Sequence, residues 1–445
     1  MNIHCKVIAI AKNEAAYIPQ WIAHHLYFGF SEIEIWVNGT TDNSLLILRK
    51  IAEKHPNIKF KVADEILKDC LDNGQNFQVH AYQEMLQAAE QEHRATHLIC
   101  LDLDELWTPK DFGTKICGAI GKNSADAISF QWHLDTPNDQ REKFSRPFQE
   151  LNTFQKNRHV KTLAKLGDKP LKANIHNFSI EEGRYSLQDG SAFQNIDIDQ
   201  HSRSKVSVDF FNNTKSFVDN FFIVHQVYRS CEEYVASLSR GRSHAGDDQP
   251  IKVNRDGYIL EPLSHHGLEL NITTERLSEY NSYYENFVSE TNINEDILEA
   301  RKFIAKKFLE VTSRINYSKD FYLSYRNQFK GTKLNDILLE KITYSHIIFN
   351  VDKTFYSEED GSKTVTGWAF DTLSNQTPSI VFESDAQVTI TKIDRPDVKR
   401  IHQDAPLDCG FRITIVPNGL SEKSPQCESL SISLKSAFST ELIDI

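Results

Sequence analysis

Short apolar runs alternate with longer amphipathic stretches along the first part of the chain. Continuous apolar runs of about four to eight residues are typical of buried strands, whereas apolar positions three or four apart indicate helices. The pattern predicts strands at 7–11, 33–37, 59–62 and 97–103, and helices at 15–28, 43–54 and 75–94. This alternation favours an α/β fold of Rossmann-like type, with a mostly parallel sheet and helices on both faces.

The pattern changes twice further along the chain. Strand-like pieces occur at 127–133, 159–166 and 221–227, and residues 231–345 are largely amphipathic and helical. From 346 onwards, short alternating runs recur between turn-rich pieces, which is typical of a β-sandwich. We therefore predict an α/β domain at 1–245, a helical extension at 246–345 and a β-sandwich at 346–445.

Composition narrows the class of protein. The chain has 445 residues, of which 40% are hydrophobic and 25% charged, as in globular proteins of two or three domains. Its net charge of −12 and the absence of a basic stripe argue against a nucleic-acid partner. The chain has seven cysteines without paired spacing, which predicts a cytoplasmic protein. It has no apolar run of about 18 residues, so no transmembrane helix is expected. A strand-like run begins almost at once, so no signal peptide is expected.

Polar clusters follow three of the predicted strands directly. They are Lys12–Glu14, Asn38–Asp42 and Asp102–Glu105. Ligands of such sheets bind at the carboxyl ends of the strands, where the chain turns into loops. Each cluster alone could be a turn with capping residues, but the three together predict one crevice.

Asp102 and Asp104 follow the apolar run that ends the strand predicted at 97–103. Side chains at positions i and i+2 of a strand point to the same side, so both carboxylates can address one divalent cation. Carboxylate oxygens suit Mg²⁺ or Mn²⁺, which can bridge the phosphates of a diphosphate. The alternative interpretation is a solvated turn between a strand and a loop.

The order of these motifs resembles the GT-A glycosyltransferases, and more narrowly a bacterial group that is family-two-like or family-ninety-two-like. The resemblance covers about the first 245 residues and rests on Ala9–Glu14, Trp21 with His25, Asn38–Ser44 and Leu101–Leu106. The turn after Val37 departs from the D-N-x-S-x-D pattern of the group, and Leu106 stands where Phe is common. The resemblance implies a GT-A fold and a metal-dependent, inverting transfer of a sugar from a nucleotide-sugar donor.

The resemblance also implies a set of site residues. It places the nucleoside end of the donor at Ala11, Lys12, Asn13, Glu14 and Asn38, and the metal and diphosphate at Asp102 and Asp104, with His176 as a third metal ligand. Further donor contacts fall at Gln78 (or Gln75), Tyr82, Lys161, His225, Arg229 and Arg240. The alternative for these residues is an ordinary helix-face or surface position.

An inverting displacement needs one general base to deprotonate the acceptor hydroxyl. The sequence does not identify it. Asp135, which follows the strand at 127–133, is the first candidate, and Asp139 and Glu142 are competitors. In the C-terminal part, Val365–Asp371, Asp394–Val398 and Gly410-Phe411 resemble a β-sandwich appended to various bacterial glycosyltransferases.

The favoured hypothesis is a glycosyltransferase that uses Mn²⁺ or Mg²⁺ and a nucleotide-sugar donor, of which UDP-sugars are the commonest. Its acceptor would be a glycan or glycolipid of a bacterial capsule, O-antigen or lipooligosaccharide. The protein would bind this acceptor at the inner face of the membrane, with which it would make only peripheral contact. Three alternatives stay open: a nucleotidyltransferase, a non-catalytic glycan-binding or assembly protein, and a nucleotide-sugar hydrolase. The first is disfavoured because Lys12-Asn13-Glu14 lacks the glycine of a triphosphate-binding loop.

Overall fold

The chain divides into two compact units, residues 1–334 and 335–445. A computed structural model describes residues 3–121, 123–138, 140–149, 153–167, 169–193, 204–213, 220–240, 250–259, 267–317, 319–332, 347–357, 359–372, 375–382, 386–416, 431–435 and 440–444. Within these ranges no helix is long and apolar enough to cross a membrane. The domain boundaries near 245 and 345 stay predictions. The helices between 267 and 332, which lie in the predicted helical extension, belong to the first compact unit.

Twelve strands and ten helices of the first unit are described. The strands are β1 Cys5–Ala11, β2 Glu32–Val37, β3 Ile58–Val62, β4 His97–Cys100, β5 Glu105–Pro109, β6 Ala127–Leu134, β7 Thr153–Lys165, β8 Leu171–Ala173, β9 Phe178–Ile180, β10 Tyr185–Leu187, β11 Phe221–His225 and β12 Gly267–Glu269. The helices are α1 Ile18–Tyr27, α2 Ser44–Lys54, α3 Asp64–Asp72, α4 Phe77–Glu92, α5 Ile116–Ile120, α6 Val208–Asn213, α7 Cys231–Leu238, α8 Thr274–Thr291, α9 Asn294–Tyr317 and α10 Lys319–Phe329.

One large sheet organises this unit, with the strand order β3-β2-β1-β4-β7-β6-β11-β5. The first four strands in this order are parallel, so their carboxyl ends lie at one edge. Strand β7 runs antiparallel to both β4 and β6, and β11 is parallel to β6. The predicted mixed α/β fold with a mostly parallel sheet is therefore confirmed.

The two faces of the sheet pack into separate hydrophobic cores. Along β1, Val7 and Ala9 belong to one core and Ile8 to the other, as the two-residue period of a strand requires. Helices α1, α2, α5 and α8 contribute to the first core, and α3 and α4 to the second. Both faces are thus covered by helices, as predicted.

The strand predicted at 97–103 ends three residues early, at Cys100. The next residues form a turn in which the Glu105 amide donates to the Asp102 carbonyl at 3.0 Å, and β5 begins at Glu105. Leu101 and Leu103 are buried within this turn, so buried and polar residues alternate here as they would in a strand. The expectation that a strand aligns Asp102 with Asp104 is therefore wrong.

The second unit contains antiparallel sheets. Its described strands are β13 Ile347–Tyr356, β14 Lys363–Asp371, β15 Ser379–Phe382, β16 Gln387–Ile393, β17 Gly410–Val416, β18 Ser431–Lys435 and β19 Thr440–Asp444, and one short helix, α11, spans Pro396–Ile401. The orders are β13-β14-β17-β16 in one sheet and β15-β18-β19 in the other. Val365 and Ile413 of the first sheet share a hydrophobic cluster with Leu434 of the second, which is the packing expected of a sandwich.

His24 of α1 gives this fold a testable pH dependence. Its Nε2 donates to the Trp107 carbonyl at 2.8 Å, and its Nδ1 lies 3.0 Å from the Tyr280 hydroxyl of α8. Burial lowers the pKa of His24 to about 3. A group with a depressed folded pKa contributes stability that is present above its unfolded pKa, near 6.5, and is lost as the pH falls.

We predict that between pH 6.5 and 5 this single histidine lowers the free energy of unfolding by roughly 2 kcal/mol. Denaturant titrations across this range should show a shallower pH slope in His24→Gln than in the wild type. The exposed His93→Asn is the control and should keep the wild-type slope. An unchanged slope in His24→Gln would contradict the assignment of a neutral, buried imidazole.

Candidate active site

A cleft with a volume of ≈ 650 Å³ opens at the carboxyl ends of β1, β2 and β4. The loops after all three strands contribute to its lining, as the sequence pattern predicted. The structure brings together nine of the predicted site residues here, namely Ala11, Lys12, Glu14, Asn38, Gln78, Asp102, Asp104, His225 and Arg240. The other lining residues are Ile10, Leu103, Trp132, His159, Ile175, Lys252, Asn254 and Arg255.

Asn13 joins the first two loops and does not line the cleft. It has a positive φ of 55°, a conformation that asparagine tolerates better than most residues. Its Oδ1 accepts from the Thr41 amide at 2.7 Å, and its own amide donates to Thr40 Oγ1 at 3.2 Å. Asp42 strengthens the connection, because its Oδ2 accepts from the Ala15 amide at 2.9 Å. Asn13 therefore positions its neighbours Lys12 and Glu14.

Asp102 is held by donors from α4 and β7. Its Oδ1 accepts from Gln78 Nε2 at 3.1 Å and from the Tyr82 hydroxyl at 3.2 Å. Its Oδ2 lies 3.3 Å from Lys161 Nζ. Burial, followed by the Asp102 charge, raises the pKa of Tyr82 well above its usual value, so this phenol acts as a donor. Gln78 reaches the cleft, whereas Gln75 lines a different pocket.

Lys161 is fully buried beneath Asp102. Its ammonium lies 3.1 Å from Glu105 Oε2 and donates to the Ile175 carbonyl at 3.1 Å. Burial works to lower the pKa of Lys161, but Asp102 and Glu105 raise it above its ordinary value. Burial also raises the pKa of Glu105 to about 7, although Lys161 opposes this. Lys161 thus supports the turn that carries Asp102 and stays outside the cleft lining.

Asp104 is surrounded by cationic groups. Its Oδ2 lies 3.4 Å from His225 Nε2 and 3.9 Å from a terminal nitrogen of Arg255. Burial works to raise the pKa of Asp104, but His225, Arg229 and Arg255 together hold it well below the usual range. The His225 ring is fixed against Trp132, with their centroids 4.2 Å apart. Asp104 is therefore a permanent anion at neutral pH.

Four basic side chains line the same cleft: Lys12, Arg240, Lys252 and Arg255. Arg240 pairs with Glu14, and burial lowers the pKa of Arg240 to about 10. The predicted contact Arg229 lies outside this group, because its guanidinium stacks 3.5 Å from the Tyr17 ring centre. Burial, followed by the charges of Arg240 and Arg255, lowers the pKa of Lys252 well below its usual value. An anionic ligand would offset this crowding of basic groups, so the cleft favours a ligand with negative charge.

Polar atoms without partners concentrate at this cleft. Five of its side chains carry a buried nitrogen or oxygen atom that makes no hydrogen bond within the described part of the chain: Glu14 Oε2, Asn38 Nδ2, Trp132 Nε1, His225 Nδ1 and Arg255 Nε. More than about 90% of buried polar atoms in proteins are hydrogen-bonded. A ligand with several donors and acceptors is the expected partner for such a group.

Sequence reasoning missed Lys252 and Arg255, which lie in the segment assigned to the helical extension. The end of α10 holds this segment in place. Gln328 Nε2 donates to the Arg255 carbonyl at 2.9 Å, and the Tyr258 amide donates to the Lys330 carbonyl at 2.7 Å. The only sequence signal was the pair of basic residues themselves.

Like Asn13, Tyr82, Lys161 and Arg229, the predicted residues His176 and Asp135 are not among the cleft-lining residues. His176 Nδ1 donates to the Val160 carbonyl at 3.1 Å, and burial lowers the pKa of His176 to about 2; it is not among the cleft-lining residues. Asp135 is also outside the lining, and its Oδ2 pairs with Arg141 at 2.9 Å while its Oδ1 accepts from the Tyr228 amide at 3.0 Å. Both Asp135 oxygens are thus engaged in holding a loop.

Of the two competing base candidates, the structure describes Glu142. Glu142 is exposed and does not line the cleft, and Asp139 lies outside the described residues. In the described ranges, no three His, Cys, Asp or Glu side chains are grouped so that they could hold a metal ion by themselves. Sites for Mg²⁺ with nucleotides commonly use only one or two carboxylates, together with substrate phosphates and water.

No model of a known protein family matches the sequence, and no curated protein matches it significantly. Among the solved structures that are similar to parts of it or to all of it are the following three. Residues 1–349 of S. aureus TarS in complex with UDP share 15% identity over 33% of this chain and 40% of that one, with a TM-score of 0.21. The mannosyltransferase PcManGT from Pyrobaculum calidifontis in complex with GDP-Man and Mn²⁺ shares 20% identity over 29% of this chain and 36% of that one, with a TM-score of 0.22.

A further structure of S. aureus TarS shares 11% identity over 100% of this chain and 77% of that one, with a TM-score of 0.24. The chain spans less than half of the first two proteins. At such TM-scores these likenesses carry no argument about function, which has to come from the geometry of the cleft.

Gly257 offers a test of how the segment with Lys252 and Arg255 is held. Its φ is +108°, and an added Cβ would lie 2.8 Å from the Lys330 carbonyl oxygen. Gly257→Ala should therefore displace Arg255 and weaken the binding of an anionic probe, here UDP, by about tenfold (~1.4 kcal/mol).

Isothermal calorimetry measures this affinity. The matched control is Gly190→Ala, because Gly190 also has a positive φ, +87°, but its added Cβ would meet no atom within 4 Å. Equal affinity in both variants would show that the end of α10 does not position the cleft.

Proposed function

We propose that the chain is a glycosyltransferase of GT-A type that transfers a sugar from a nucleoside-diphosphate sugar with the help of Mn²⁺ or Mg²⁺. The observation that carries the proposal is the joint presence of Asp102, Asp104 and four basic side chains in one cleft at the ends of parallel strands. Its volume, ≈ 650 Å³, lies within the range of about 300–1,000 Å³ typical of small-molecule sites.

The nucleoside end of the donor would occupy the part of the cleft formed by Ala11, Lys12, Glu14 and Asn38. The unpaired Glu14 Oε2 and Asn38 Nδ2 are an acceptor and a donor of the kind that ribose hydroxyls and base edges satisfy. Asn13 orients this loop without touching the ligand. The base is most simply uracil, since UDP-sugars are the commonest donors of such enzymes.

The donor set fits a hard divalent cation. Asp102 and Asp104 both face the cleft, and sites for Mg²⁺ with nucleotides commonly use only one or two carboxylates together with phosphates and water. His225, whose Nε2 lies 3.4 Å from Asp104, would orient this carboxylate. When bound, the metal would offset the charge that develops on the departing diphosphate. Lys161 keeps Asp102 oriented, and Arg240 and Arg255 would bind the phosphate oxygens directly.

The acceptor is proposed to be a glycan or glycolipid, attacked in a single inverting displacement. Contact with the inner face of the cytoplasmic membrane would be peripheral, as expected for a bacterial surface polysaccharide or lipooligosaccharide precursor. The alternatives differ in their products. Nucleotidyl transfer releases pyrophosphate, hydrolysis forms free sugar whatever the acceptor, and a glycan-binding protein binds no nucleotide.

Calorimetric titration with UDP, GDP, CDP, ADP and dTDP, each with and without Mn²⁺, tests the proposal. We predict that one nucleotide binds selectively and that the metal strengthens its binding. Asp104→Asn should lower the metal-dependent affinity at least about tenfold, because losing the support of a metal ligand already costs 10–100-fold. Asp72→Asn, on the exposed end of α3, is the control and should bind like the wild type.

Failure of the folded wild-type protein to bind any of the five nucleotides would contradict the proposed function. It would instead favour a glycan-binding or assembly role.

A further inference from the structure

A second, smaller pocket adjoins the cleft. Its volume is ≈ 200 Å³, and it shares the lining residues Asn254 and Arg255 with the larger cavity. Its lining also includes Gln155 and Asn157 of β7 and Tyr228. Arg255 reaches within 3.9 Å of Asp104, so the shared wall connects the pocket to the predicted diphosphate region.

Asp256 is the one carboxylate among the described residues that line this pocket. Its side chain is exposed, and it makes no hydrogen bond or ion pair with the described part of the chain. The carboxylates of the larger cleft each have a cationic or hydrogen-bonding partner: Glu14 pairs through Oε1 with Arg240, Asp104 with His225, and Asp102 with its three donors. An acceptor hydroxyl between the two cavities would therefore find its proton acceptor at Asp256.

The backbone around Asp256 is fixed by packing. The preceding carbonyl, that of Arg255, accepts from Gln328, and the following Gly257 lies against the Lys330 carbonyl at a positive φ. The Tyr258 hydroxyl adds a bond to the Arg229 carbonyl at 2.9 Å. A catalytic side chain needs neighbours that hold it in this way, because its displacement by about 1 Å can lower the rate a hundredfold.

We propose that this pocket is the acceptor subsite and that Asp256 is the general base of the transfer; the inference rests on the proposed function. The Asp256 carboxylate takes the proton of the acceptor hydroxyl as the hydroxyl oxygen forms a bond to the anomeric carbon. The bond from that carbon to the diphosphate oxygen breaks, and its electron pair leaves with the nucleoside diphosphate. The proton stays on Asp256 until it passes to water.

The lining indicates the class of acceptor. Gln155 and Asn157 carry carboxamides, which donate and accept at once and so match the hydroxyls of a sugar. Tyr228 supplies an aromatic ring, and Lys156 adds a positive charge. A volume of ≈ 200 Å³ is below that of sites for drug-sized ligands, about 300–1,000 Å³. The subsite therefore takes one terminal sugar residue, neutral or anionic, with the rest of the glycan outside.

The test compares Asp256→Asn with Asp209→Asn, an exposed aspartate of α6. The donor is the sugar form of the nucleotide that calorimetry selects, and the probes are methyl glycosides of glucose, galactose, mannose, N-acetylglucosamine and glucuronic acid. Asp256→Asn should transfer at least about 100-fold more slowly, since general bases contribute 10²–10⁴-fold. Its nucleotide affinity should stay at the wild-type value.

Transfer by Asp256→Asn within about threefold of the wild type would overturn the base assignment. The subsite has its own test, which needs no turnover: saturation-transfer NMR of the same glycosides with protein saturated with the nucleoside diphosphate. At least one glycoside should bind, and Asp256→Trp should abolish its signal by filling the pocket. Binding of none, or binding unchanged in Asp256→Trp, would overturn the subsite, whereas absence of nucleotide binding by the wild type would overturn the proposed function itself.

Discussion

The candidate site depends on the buried ammonium of Lys161. A charge removed from water costs several kcal/mol unless it is paired, and here Asp102 and Glu105 provide the compensation at 3.3 and 3.1 Å. The same nitrogen binds the Ile175 carbonyl, so three separate stretches of chain meet at one charge. The turn after β4 cannot relax outwards without leaving Lys161 unpaired, and Asp102 is thereby kept at the edge of the cleft.

Two further sets of hydrogen bonds hold the segments around the cleft in place. Asn13 ties the loop after β1 to the loop after β2, and the end of α10 holds the segment with Lys252 and Arg255. The cleft is thus assembled from loops of the parallel sheet on one side and a segment braced by the helical region on the other. The predicted helical extension contributes directly to the site, because it fixes the basic side chains opposite the two aspartates.

The α/β fold could be predicted from the sequence because its central strands are short, continuous apolar runs that differ plainly from the helices between them. The turn at Asp102 could not, since Leu101 and Leu103 are buried there and reproduce a strand pattern. Helix α3 escaped notice because it has only 9 residues, of which Cys70 is the one buried. Helices and strands could be predicted from the sequence where their buried residues recur with a regular period, and could not be predicted where they do not.

The site was predictable where the residues follow strands and unpredictable where they come together through tertiary contacts. Asp102, Asp104 and Asn38 could be placed by the strand-end rule. No local pattern distinguishes His225, which faces Asp104, from His176, which binds a backbone carbonyl. Asp135 has the sequence position of a catalytic carboxylate, yet Arg141 and two backbone amides engage it in the fold.

The most direct test of the account is a crystal structure of the protein with its nucleoside diphosphate and Mn²⁺. The account predicts the diphosphate between the two aspartates and the basic residues Arg240 and Arg255, with the nucleoside against Ala11 and Asn38. A nucleotide bound elsewhere, for example in the separate pocket of ≈ 580 Å³ beside Gln75 and Asn177, would contradict it.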